Sequence, residues 1–194
     1  MCMTHLVFWH KLISSLHFTS PQGLFYPTLL DEMLPVMRSY IVSEETKVLD
    51  LGSGDGRILF LAGALGANAT GVEYDANLAE HSRTALSALS DKSIVDPDRI
   101  NIIHGDFFDL DFSEYDVLFY YLDYNKPDQY GLWHKIQQEL APNARLLYGW
   151  EKAVFSGLEL EGRWSDGIHG TKHLQPTISV YRQPKTVKRA TDRR

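Results

Sequence analysis

A chain of 194 residues, 44% hydrophobic and 23% charged, is long enough for one α/β domain and short for two. Its single cysteine, Cys2, excludes a disulfide framework and leaves a Cys/His zinc site without ligands. The net charge of −6 is uneven: Lys185, Lys188, Arg189, Arg193 and Arg194 against Asp192 put +4 in the tail from Pro184 and leave −10 on the rest, which disfavours bulk nucleic-acid binding.

Leu6, Trp9, Leu12, Ile13 and Leu16 recur at helical spacing and make one apolar stripe. His10, Lys11, Ser14 and Ser15 interrupt it, no Ala-x-Ala follows, and the run is too short and polar to span a bilayer. The expectation is an amphipathic helix packed on the domain, over the ligand. Membrane-surface contact through residues 1–20 is the alternative. Pro27 pushes Tyr26 toward extended geometry, so Gly23 to Thr28 reads as a loop. Leu29, Leu30, Met33, Leu34, Met37 and Tyr40 then space as a helix, with a break or kink expected at Pro35.

The stretch Val48-Leu49-Asp50-Leu51-Gly52-Ser53-Gly54-Asp55-Gly56-Arg57 organises the chain. An apolar run ends in an acid, three glycines follow two apart, and Ile58 to Ala62 reads as a buried helix. Glycine is needed where the backbone turns with φ > 0 or where a ligand lies against it. A dinucleotide fingerprint would need glycine where Arg57 stands, and no Gly-Lys-Ser/Thr follows for a phosphate loop. The spacing Asp50-x-Gly52-x-Gly54-x-Gly56 resembles motif I of the S-adenosylmethionine (SAM) dependent methyltransferases of seven-strand Rossmann-like fold.

Beyond the loop, a helix from Asp55 is expected to run to Leu65-Gly66, with Gly66 as its cap. Ala69 to Asp75 reads as a second strand, Asn77 to Leu89 as a helix and Ile100 to His104 as a third strand. Tyr115 to Leu122 is an apolar, central fourth strand, Tyr130 to Leu140 a helix and Ala144 to Trp150 a fifth strand. Two late strands are expected at Leu158–Glu161 and Thr177–Tyr181. The alternation predicts an α/β, doubly wound, mostly parallel seven-stranded sheet with helices on both faces and an N-terminal helical extension.

In such sheets the ligand lies beyond the carboxyl ends of the strands. Glu73 ends the second strand, 23 residues after Asp50, where an acid can accept both ribose hydroxyls. Asp75 is better placed to cap the next helix. Asp106 ends the third strand and can accept an adenine amino group, with Phe107 or Phe108 flanking the ring.

Asp-Leu-Gly-Ser-Gly-Asp-Gly-Arg-Ile, Gly-Val-Glu-Tyr-Asp and Gly-Asp-Phe-Phe together resemble the seven-strand class I methyltransferases. More narrowly, the chain resembles the mitochondrial and prokaryotic protein-lysine methyltransferases acting on ATP synthase c-subunit and adenine nucleotide translocase. Those share an aromatic-x-Pro-Thr-like segment, here Phe25-Tyr26-Pro27-Thr28. The resemblance implies SAM as cofactor and S-adenosylhomocysteine as product. It implies a cofactor site of Tyr26, Thr28, Asp50, Gly52, Ser53, Gly54, Asp55, Gly56, Glu73, Tyr74, Asp106, Phe107 and Tyr120. The chain is expected to divide into a helical cover segment at 1–40, the SAM-binding domain at 41–183 and a basic, disordered tail at 184–194.

The acceptor should approach the end of the fourth strand. No Asn/Asp-Pro-Pro-Tyr signature stands there; Tyr120, Tyr121 and Asp123 do, and they are the candidate catalytic residues. Asp123 or a tyrosine can orient a lysine amine or relay its proton, and aromatic faces can hold an ammonium. The acceptor expected is a protein lysine side chain. Small-molecule N- or O-methylation and SAM binding without catalysis are the alternatives. No metal is expected, and an intracellular, cytoplasmic setting is.

Overall fold

A computed structural model describes residues 19–20, 23–24, 28, 30–41, 43–121, 131–149, 157–164 and 178–185. The stripe at 6–16, Tyr26, Asp123 and most of the basic tail lie outside the described residues.

Seven strands form one sheet: β1 (Lys47–Leu51), β2 (Asn68–Glu73), β3 (Ile100–His104), β4 (Val117–Tyr121), β5 (Arg145–Gly149), β6 (Glu159–Trp164) and β7 (Ile178–Arg182). Their order across the sheet is β3-β2-β1-β4-β5-β7-β6. The first five are parallel, and β7 runs antiparallel to both β5 and β6. Among the described residues the α-helices α1 (Leu30–Tyr40), α2 (Arg57–Ala64), α3 (Ala76–Ser90) and α4 (Leu132–Glu139) cover it. A two-residue antiparallel pairing of Thr19–Ser20 with Gly23–Leu24 stands apart from the sheet.

Strand alternation divides the core in two. One face joins Val48, Phe119, Leu147 and Val180 to Met33, Val36 and Met37 of α1, most of α2, and Ala85 and Leu89 of α3. The other joins Leu49, Leu51, Leu118, Leu146 and Tyr148 to Phe112 and to Leu132 and Ile136 of α4. Helices on both faces explain why β1 and β4 read as nearly continuous apolar runs. The chain reverses strand order at β1 and β4, so a crevice opens beyond Leu51 and Tyr121.

Two expectations change. α1 runs unbroken through Pro35. The proline ring sits on the exposed side, while Leu30, Met33, Val36 and Met37 bury the other, so packing outweighs the single backbone bond lost. α2 begins at Arg57 rather than Asp55, because Gly56 takes φ 81 and the Asp55 carboxylate accepts the Arg57 N–H at 3.2 Å. At its other end Gly66 N–H donates to Gly63 O and Ala67 N–H to Ala62 O. With φ 98 at Gly66 this is the paired Schellman closure.

Candidate functional site

The loop after β1 is shaped by its glycines and stitched to β2. Gly52 and Gly54 have φ 76 and φ 54, the left-handed region that glycine reaches without strain. The N–H groups of Gly52 and Ser53 donate to Val72 O at 2.9 and 3.0 Å. Gly71 lets the loop lie this close, since a Cβ there would collide with Ser53 and Leu59. Gly56 is equally constrained: a Cβ would strike Ser82 Oγ and the Phe60 ring. Gly52 differs. It is exposed, and a Cβ there meets nothing within 4 Å, so the loop presents bare backbone to open space.

Glu73 ends β2 and holds the loop. Its Oε2 accepts the Gly54 N–H and its Oε1 accepts the Asp75 N–H, both at 2.8 Å. One in-plane position on each oxygen stays available to a further donor. Asp75 caps α3, accepting from Asn77 N–H at 2.8 Å and Leu78 N–H at 3.2 Å. Tyr74 between them is 65% exposed. Asp106 caps a short 3-10 turn, accepting the Phe108 N–H at 2.9 Å. Phe107 and Phe108 are half-buried, with ring centroids 5.0 Å apart.

Asp50 sits beneath this loop, 3% exposed, and its carboxyl is held well above the usual carboxylate range. Burial is the main cause, and the neighbouring charges of Glu73 and Asp55 add to it. Asp55 is matched by Arg57, whose Nε lies 3.0 and 3.1 Å from the two Asp55 carboxylate oxygens. Arg57 also donates from Nη1 to the backbone oxygen of Thr28 at 3.2 Å.

The candidate residues of β4 separate. Tyr120 lies on the α4 side, its ring 5.6 Å from Trp133, 6.4 Å from Tyr148 and 6.4 Å from Phe107. Tyr121 points to the other face, where its ring crosses the space a Gly149 Cβ would need. Alternation therefore keeps the two hydroxyls from acting side by side. Trp133, Tyr148 and Arg57 were not singled out from the sequence. Arg57 stood there only as a missing glycine, and its sole local signal is an Asp two residues before it.

A sheet ordered β3-β2-β1-β4-β5-β7-β6, with a glycine loop at its switch point and an acid ending β2, defines a Rossmann-like methyltransferase domain. The chain belongs to the family of the ANTKMT methyltransferase domain, whose model matches residues 50–148. A protein-lysine N-methyltransferase of Saccharolobus islandicus is 36% identical over 109 residues, which make up 55% of this chain and 63% of that protein. The chain thus matches less than two thirds of that relative's length.

Solved structures share the fold. An RNA methyltransferase from Salinibacter ruber, in complex with S-adenosylhomocysteine, superposes with a TM-score of 0.64 at 23% identity. That match covers 86% of this chain and 99% of the other. A putative methyltransferase from Escherichia coli gives a TM-score of 0.60 at 15% identity, covering 80% of this chain and 84% of the other.

The residues present fit SAM. Gly52 offers uncovered backbone, and the buried Ser53 Oγ has no hydrogen-bond partner among the described residues. Arg57 neutralises Asp55, and Glu73 keeps lone pairs free beside the loop for a further donor. Among the described residues no three His, Cys, Asp or Glu side chains group as a metal site. No helix among them is long and apolar enough to cross a membrane.

Proposed function

We propose that this chain transfers a methyl group from SAM to a lysine side chain of a protein. The Glu73 carboxylate bound to the Gly54 N–H carries the cofactor part of this reading. It fixes an acid against the glycine loop with lone pairs left for two ribose hydroxyls. The acceptor part rests on the Saccharolobus islandicus relative.

The reactive sulfonium supplies the chemistry, and the protein positions the two reactants. Glu73 attracts the positive cofactor into a site whose loop backbone binds it, and Asp50 lies buried beneath that loop. Asp106 and Phe107 hold the adenine end. Thr28 stands near the amino-acid end, because Arg57 binds its backbone to the loop. Tyr120 presents an aromatic face at the end of β4, which suits an incoming ammonium. The lysine must lose a proton before it attacks, and Asp123, two residues beyond β4, is the candidate to orient the amine or take the proton.

Incubation with methyl-labelled SAM and a host lysate tests this. Label should enter protein and be recovered as methyl-lysine after hydrolysis. Label in RNA, or only in small molecules, would overturn the acceptor; no transfer at all would leave a SAM-binding protein.

A further inference from the structure

We infer that Arg57 is a positioning residue: its guanidinium ties the entrance of α1 to the cofactor loop, so that the loop and the start of α1 are ordered together. The inference rests on the SAM reading for its consequence, but the tie itself is geometric.

Arg57 is 8% exposed and Asp55 1%, so both charges have left water. A buried ion pair is weak reason for stability by itself, because desolvation consumes much of its Coulomb gain. Its value lies in what the geometry fixes. Asp55 and Arg57 flank Gly56, whose left-handed backbone and crowded Cβ site leave that turn little freedom to change. The turn aims the planar fork back along the loop, with Nε on the Asp55 carboxylate. The remaining Nη1 reaches the Thr28 carbonyl, 29 residues earlier in the chain.

Thr28 is itself buried, and α1 begins two residues later with Leu30 at 3% exposure. The far end of α1 is held separately, by the Tyr40 ring under Arg145 at 5.4 Å. Arg145 in turn pairs with Glu161 of β6 at 3.2 Å. α1 is thus a strut pinned at the cofactor loop by Arg57 and at the β5–β7–β6 edge by Tyr40. Loss of the first pin frees the end beside the cofactor and leaves the second in place.

A lysine keeps the positive charge but cannot serve a carboxylate and a distant carbonyl in one fixed plane. The tests are therefore R57K and, should R57K fold poorly, the double variant D55N/R57Q. The double variant removes both buried charges together and keeps an acceptor for the residue-57 N–H. Hydrogen exchange is read in two peptides, 30–40 and 47–64, alongside calorimetry with S-adenosylhomocysteine.

Both variants should exchange about tenfold faster in the first half of α1, with β1 and α2 unchanged, and bind the product about tenfold more weakly. Wild-type exchange and affinity in R57K would show that charge alone matters, overturning the inference. A uniform rise across both peptides would overturn it too, as plain destabilisation. Should the wild-type protein fail to bind S-adenosylhomocysteine, the cofactor reading falls, while the exchange comparison still decides whether Arg57 pins α1.

Discussion

The Glu73 carboxylate and the Gly54 backbone N–H, 19 residues apart in sequence, meet at 2.8 Å. One acid thereby shapes the glycine loop, and in the proposed function it also takes the ribose hydroxyls. Asp75, two residues on, is occupied with capping α3. E73A should therefore weaken SAM binding by about 1.5–3 kcal/mol, the cost of charge-assisted hydrogen bonds lost from the ligand. D75A should instead lower stability by about 1 kcal/mol as a cap loss. Calorimetry and urea denaturation on both variants check this, and equal SAM affinities would show the wrong acid was chosen.

SAM and S-adenosylhomocysteine should bind, and NAD should not. Arg57 stands where a dinucleotide loop needs its third glycine, and its side chain fills that place with an ion pair to Asp55. Titration of each ligand into the protein decides the matter; heat with NAD and none with SAM would reverse the assignment.

G52A and G56A should separate binding from folding. Both positions have positive φ, so each alanine costs roughly 1–2 kcal/mol of backbone strain. At Gly56 the new methyl also meets Ser82 and Phe60, adding about 1–3 kcal/mol of overpacking. At Gly52 it projects into open space that the ligand is expected to use. The expected result is a larger loss of SAM affinity than of stability in G52A, and the reverse ranking in G56A, by calorimetry and thermal melts.

Asp50 makes stability depend on pH. Its folded carboxyl titrates well above the unfolded one, so the native state holds a proton that the unfolded state has released. Stability from this group is complete below the ordinary carboxylate value and is lost as pH rises toward the raised value. D50N removes the titration, so its stability advantage over wild type should grow with pH across that window. At pH below the raised value the same variant should keep its SAM affinity, because the amide there replaces an uncharged carboxyl. Melts at several pH values check the first part; a stability difference independent of pH would count against a buried, proton-holding Asp50.

Much of the site was legible because its determinants are local. Glycine spacing reports where φ must be positive, and Gly52, Gly54 and Gly56 all proved so. Apolar periodicity located every strand of the sheet to within two or three residues at each end, and the alternation of strands with helices implied parallel pairing. Glu73 ends β2 and Asp106 follows β3 by two residues, placements visible in a string of letters.

What needed the tertiary structure depends on which distant segments meet. No local pattern shows that Arg57 reaches the Thr28 carbonyl, or that Glu73 binds the Gly54 N–H. Adjacent Tyr120 and Tyr121 look like one pair of hydroxyls until helices cover both sheet faces and alternation sends them apart. Pro35 reads as a helix breaker until packing of Met33, Val36 and Met37 outweighs one missing hydrogen bond. Asp50 is an ordinary acid in sequence, and only burial beside Asp55 and Glu73 raises its proton affinity. Backbone preference and periodicity belong to the sequence; desolvation, charge proximity and contact across the sheet come into being only when the chain closes on itself.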